Sequence, residues 1–142
     1  MYKRQDYDND GDIDVVVNNM NEIPSLLRND GGNLNNWIKV KLIGTKCNRT
    51  GIGARVRVIT GKHAQMDEVH SGTSVMSQGD LRLHFGIGQA KKVDRLEVKW
   101  PTTQKTEVFS DVDPNQILVI KEGSGITQKI MPNLKTQGGK IP

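Results

Sequence analysis

Between positions 6 and 14 the chain reads Asp-Tyr-Asp-Asn-Asp-Gly-Asp-Ile-Asp, five carboxylates in nine residues. Like charges this close repel, so the segment must either lie open to water or gather around a cation. The spacing favours the cation. Asp6, Asp8 and Asp10 alternate, which lets three side chains turn inward from one loop, and Gly11 next to them permits a sharp bend. Asp12 can offer its backbone carbonyl, and Asp14 adds a further carboxylate. Calcium suits such a loop, because it takes about six to eight oxygens from a flexible segment. A divalent ion would neutralise an otherwise costly anionic knot. Magnesium fits less well, since it demands tighter octahedral geometry and keeps its waters. An EF-hand is excluded: it needs a bidentate Glu at the twelfth position, between helices, and that position here is Val17 in the run Val15-Val16-Val17. A solvated acidic turn is the plainer alternative. The pattern D-x-D-x-D-G-x-x-D directly before a strand is more specific than that.

Other residues with chemical potential form no set. His63, His70 and His84 have no second ligand at metal spacing and are expected in surface or partly buried structural roles. Ser71, Thr73, Ser74 and Ser77 lie in a Gly-bearing loop beside His70, but a nucleophile needs a base held by a third group. Gly86-Ile-Gly88 lacks the third glycine and the helix of a dinucleotide loop, and reads as a strand-end turn. Cys47 stands alone and cannot close an internal disulfide. Asn48-Arg49-Thr50 is a glycosylation sequon in a turn-rich segment. No catalytic residue and no organic cofactor are expected, and the chain is not expected to be an enzyme.

The elements that must position the aspartates are strands. Ile38, Val40 and Leu42 alternate with Lys39 and Lys41; Ala54, Val56 and Val58 with Arg55 and Arg57; Leu81, Leu83, Phe85 and Ile87 with Arg82 and His84; Leu96, Val98 and Trp100 with Arg95, Glu97 and Lys99. Alternation of this length implies half-buried antiparallel strands. Residues 116–123 are dense in β-branched side chains and read as a more buried strand, while 62–70 and 103–109 are weaker candidates. Gly, Asn, Asp and Pro punctuate the intervals, and no capped helical pattern is convincing. The fold class is therefore all-β, with antiparallel strands in a sandwich or a barrel. Trp100 shares a face with Leu96 and Val98 and is expected in the core. Trp37 lies with Lys39 and Lys41. It is expected to pack on a neighbouring segment, with an exposed, sugar-stacking indole as the alternative.

From Val15 onward eighteen Lys/Arg face eleven Asp/Glu, so the bulk of the chain is mildly basic. These cations alternate along strands and aromatics are scarce, which implies solvated strand faces, Lys39 and Lys41 included, and no nucleic-acid partner. No apolar run is long enough to span a membrane, and the first residues carry no signal peptide.

The segment "DYDNDGDIDVVVNN" resembles the calcium loop of FG-GAP/VCBS repeats, the blade units of integrin-like β-propellers. The segments at 24–58, 71–88 and 93–123 resemble an ASPIC/UnbV domain, in which "HFGIG" recurs as a structural signature. The combination is similar to the C-terminal end of secreted proteins related to cartilage acidic protein and of many bacterial exported proteins. The resemblance implies calcium held by the side chains of Asp6, Asp8, Asp10 and Asp14 and the backbone of Asp12. It implies a fragment of a propeller blade at 1–30 before an antiparallel β-sandwich-like domain at 31–122; the Gly/Lys-rich composition of 123–142, with its thinly spread apolar residues, reads as a mostly disordered tail with one short pairing segment at most. The chain would begin inside a blade, with the preceding strand and all other blades upstream of it. "WPTTQ" at 100–104 lacks the glycine that usually follows Trp-Pro-x in the family, which puts that turn's geometry in question. The function implied is a calcium-stabilised extracellular, periplasmic or cell-surface module for adhesion to a protein or glycan partner. A carbohydrate-binding module and an accessory domain beside a biosynthetic enzyme are the alternatives.

Overall fold

The computed structural model describes residues 2–31, 34–72 and 78–132. In chain order the strands are β1 (Tyr2–Gln5), β2 (Asp14–Val17), β3 (Ser25–Leu27), β4 (Asn36–Ile43), β5 (Arg55–Thr60), β6 (His63–Glu68), β7 (Leu83–Gly88), β8 (Val93–Lys99), β9 (Thr106–Val112), β10 (Gln116–Lys121) and β11 (Gly125–Ile130). They form a small sheet β1-β2-β3 and two four-stranded sheets, β11-β10-β4-β7 and β6-β5-β8-β9. The fold is all-β.

The alternating apolar residues close the sandwich. Ile38, Val40 and Leu42 of β4, Leu83, Phe85 and Ile87 of β7, and Leu118 and Ile120 of β10 form one buried cluster with Val56, Val58, Val93, Leu96, Val98 and Trp100 from the opposing sheet and its edge. Trp100 is in the core as expected.

Two features depart from the sequence-based expectation, and the tail holds one short pairing segment. Alternation fixes which way a side chain points but not the direction of the partner strand. β10 runs parallel to β4, from Gln116↔Ile38 to Lys121↔Ile43, so the sandwich is not wholly antiparallel. A parallel pair needs a crossover, which the chain supplies by building β5, β6, β8 and β9 in the other sheet between them. The strand before the acid loop, expected to lie upstream of the chain, is present as β1 and pairs with β2 from Tyr2↔Val17 to Gln5↔Asp14. The anticipated tail carries β11, which pairs with β10; residues 133–142 lie outside the described residues, as do Thr73, Ser74 and Ser77.

Two polar networks pin the sandwich ends. Asn115 accepts from the Trp37 amide through Oδ1 (3.1 Å) and donates through Nδ2 to Asn36 Oδ1 (2.8 Å), tying the starts of β4 and β10. Asn48 folds the β4–β5 loop on itself: its Nδ2 donates to the Ile52 carbonyl and its Oδ1 accepts the Ile52 amide, both at 2.8 Å. The sequon side chain is thus a loop clasp. In the turn after Trp100, Gln104 takes the left-handed backbone (φ 53), and Thr103 sits where the family pattern places glycine.

Candidate metal centre and its docking face

The aspartates lie in the connection between β1 and β2. Pairing of Gln5 with Asp14 brings the two feet of the loop together, and Asp6 and Asp14 stand at those feet. One oxygen each from Asp6, Asp8 and Asp14 lies within 4.8 Å of the others. Asp10 and Asp12 fall outside this trio. Asp10 Oδ1 accepts the Asp12 amide (3.0 Å), closing a small turn.

The feet also organise the loop. Asp14 Oδ2 accepts the Tyr7 amide (2.8 Å), and its Oδ1 accepts the Asn29 amide beyond β3 (2.9 Å), so one carboxylate spans all three strands. Asp6 accepts the amides of Asp10 (3.1 Å) and Gly11 (3.2 Å), turning the chain around its own carboxylate. Asp6, Asp12 and Asp14 are buried. Burial first, and then repulsion from Asp8, Asp6 and Asp14, raise the Asp10 carboxyl above its ordinary range against the Asp12 hydrogen bond.

The loop rests on the outward face of β4 and β7. Lys39 Nζ pairs with Asp6 Oδ2, and the lysine side chain is 1% exposed. This corrects the expectation of a solvated strand face at Lys39; Lys41, Arg55, Arg57, Arg95 and Lys99 are exposed as expected. Alternation shows only that a side chain points away from the core, and here the space beyond is filled by the loop. Trp37 is buried, stacked on His84 with centroids 5.9 Å apart and planes 24° from parallel. A Cβ on Gly11 would stand 2.0 Å from the Trp37 ring. The indole therefore packs on the neighbouring segment, and the sugar-stacking alternative loses its surface. His84 Nε2 lies 2.9 Å from the Gly11 carbonyl. A carbonyl can only accept, so the ring carries its proton there. Burial first, then Lys39, lowers His84 below its ordinary value, keeping it neutral near pH 7. Burial likewise lowers Lys39, against its pairing with Asp6. Arg82 braces the loop's far side: Nη1 donates to Asn9 Oδ1 (2.6 Å) and Nη2 to the Asp6 carbonyl (3.3 Å), while Nε is bound to Asp80 (2.7 Å).

Alternation around Trp37, Lys39, Arg82 and His84 signalled an outward face. Nothing in their spacing named the loop as what covers it, because the loop lies more than twenty residues away in sequence. His63 and His70 are exposed.

A second carboxylate pair lines a cleft of about 380 Å³ beside Trp100. Glu122 Oε2 accepts the amides of Thr45 (2.9 Å), Lys46 (2.8 Å) and Cys47 (3.0 Å). Desolvation pushes its carboxyl up, but these donors together outweigh that and hold it at about 2. Glu107 Oε1 accepts Trp100 Nε1 (2.9 Å) and the Gly123 amide (2.7 Å). Both acids serve main-chain and indole donors. Burial pushes the nearby Cys47 thiol up, away from the thiolate form that reacts.

Comparison with protein families matches residues 44–127 to ASPIC and UnbV. No curated protein matches the chain. The matched span begins just after β4 and ends within β11; it holds the sheet β6-β5-β8-β9 and strands β7 and β10 of the other, while β4, the acid loop and its small sheet precede it. With more than half of its length matched, the chain belongs to the ASPIC/UnbV family.

Proposed function

We propose that the chain is a non-enzymatic, calcium-stabilised module of an exported or cell-surface protein, in which an FG-GAP/VCBS-type blade segment is stapled to an ASPIC/UnbV sandwich for binding a protein partner. The observation that carries it is the convergence of Asp6, Asp8 and Asp14 within 4.8 Å in a loop wedged between the two. An all-oxygen donor set fits a hard cation. Asp6, Asp8 and Asp14 would hold it by carboxylate, with Asp10 and the Asp12 backbone completing the set. Calcium supplies charge neutralisation there and no reaction chemistry. An extracellular setting suits such a staple, since millimolar calcium there fills even weak sites.

Two further observations agree. Glu107 and Glu122 are engaged by structural donors, which favours a scaffold over an acid–base centre. Met20, Ile23, Leu26 and Leu27 are exposed on and beside the small sheet, as suits a blade with neighbours to pack against.

The test is thermal unfolding in millimolar calcium and in EDTA, for the wild type and Asp8→Asn. The wild-type midpoint should rise with calcium, by an amount equivalent to about 2.7 kcal/mol when calcium is 100 times Kd. Asp8→Asn should abolish most of that rise. A wild-type midpoint indifferent to millimolar calcium would remove the reading.

A further inference from the structure

Among the described residues two cations reach the acid loop from the sandwich, and they act differently. Arg82 touches neutral oxygens of the loop, Asn9 Oδ1 and the Asp6 carbonyl, while its charge is matched by Asp80. Lys39 directs its charge at the Asp6 carboxylate, from a side chain with almost no access to water. Asp6 is also one of the three carboxylates that converge. Its remaining partners are the amides of Asp10 and Gly11, which define the loop's curvature. The same carboxylate therefore anchors the loop's shape, receives an internal cation and faces the metal-ligand cluster.

We propose that Lys39 is the loop's resident counter-ion: its ammonium holds Asp6 docked when no divalent ion is bound, and weakens the ion's binding by sharing that carboxylate. The first half stands on the ion pair alone; the second rests on the calcium reading above. The physical reason is charge balance. A buried carboxylate cluster needs a cation to persist, and a lysine carried by the sandwich supplies one at all times. A divalent ion beside it meets a like charge and a partly neutralised ligand, so its affinity falls. The loop is built before the ion arrives, and the ion adds to a docked structure rather than creating it.

Hydrogen exchange at the Asp10 and Gly11 amides reads the Asp6 anchor directly, and exchange at Val56 and Val98 reads the sandwich. In EDTA the wild type should protect all four. Lys39→Met should keep Val56 and Val98 protected but release Asp10 and Gly11. Calcium should restore them and, by calorimetry, bind about tenfold more tightly than to the wild type, a difference of about 1.4 kcal/mol. If the Lys39→Met loop stays as protected as the wild type in EDTA, the proposal is overturned; equal or weaker calcium binding by that variant overturns it too. If neither protein binds calcium while the variant still loses loop protection, Lys39 stands as counter-ion and the calcium reading fails. Lys41→Met removes the next outward cation and should change nothing; loosening equal to that of Lys39→Met would reduce the effect to surface charge and defeat the proposal. Lys39→Gln replaces the methionine variant should that protein not fold.

Discussion

At Gly11 two independent demands fall on one residue. Its backbone is left-handed (φ 102), where a Cβ is strained, and that Cβ would also overlap the Trp37 ring at 2.0 Å. Gly11→Ala should therefore lift the loop from β4, costing about 2 kcal/mol or more in urea unfolding. Trp37 emission should shift to the red; unchanged emission and midpoint would show that the loop does not rest on the indole. Glu122 makes a separate prediction. Its folded carboxyl sits at about 2, below the ordinary 4.5. The stability it contributes is thus fully present above about pH 4.5 and is lost as pH falls toward 2. Glu122→Gln should be less stable than the wild type at pH 7, and the gap should narrow between pH 4.5 and 2. A gap constant across that range in urea titrations would refute the assignment. The convergence of Asp6, Asp8 and Asp14 and the bend at Gly11 were legible in sequence because both are set within one short loop; that Asp10 and Asp12 fall outside the trio was not. Lys39 was not, since its identity as an ion-pair partner depends on a loop that folds over it from 33 residues away.

Among the elements, strands written in period two were the legible part: β4, β5, β7 and β8 fall where Ile38, Val56, Leu83 and Leu96 alternate with polar neighbours. β9 emerged less clearly because its exposed Ser110 and Asp111 interrupt the pattern at a sheet edge. β11 was obscured by its neighbours in sequence, since Thr127, Gln128 and Lys129 are exposed and only Ile126 packs toward the core. The pairing itself depends on β10, whose far edge is taken by β4. Deleting residues 123–142 would strip the backbone partners from Ile117 to Lys121 and uncover Ile120. An unpaired, β-branched edge is a template for association. The truncated chain should unfold at lower temperature and aggregate at concentrations where the full chain does not, as light scattering can follow. A truncated chain that stays monomeric with an unchanged midpoint would show that β11 adds nothing to the sheet.

At the scale of the molecule, the small sheet and the sandwich meet through Trp37, His84, Lys39 and Arg82, and the energies at that junction are unequal. The intact Lys39–Asp6 pair adds little net energy, because the charges lose hydration on burial, whereas removing Lys39 alone strands the buried Asp6 carboxylate and is costly. Covering the Trp37 ring is worth about 1.5–3 kcal/mol, as for other large apolar side chains. The junction is therefore held mainly by the indole, with the charged groups fixing where the loop lands. Removing residues 1–33 should leave the sandwich folded, since its core residues lie between β4 and β10 and none comes from the small sheet. The remaining domain should lose several degrees in Tm, at about 4–8 °C per kcal/mol for about 100 residues. The chain has two tryptophans, and Trp100 is wholly enclosed within the sandwich. A red-shifted component accessible to iodide should therefore report Trp37 alone, beside a blue component from Trp100 that is not quenched. Unfolding of the shortened domain at 25 °C would mean that the loop supports the sandwich itself. An unshifted Trp37 would mean that the ring finds its cover elsewhere; either result would break the hierarchy in which a self-sufficient sandwich carries the loop.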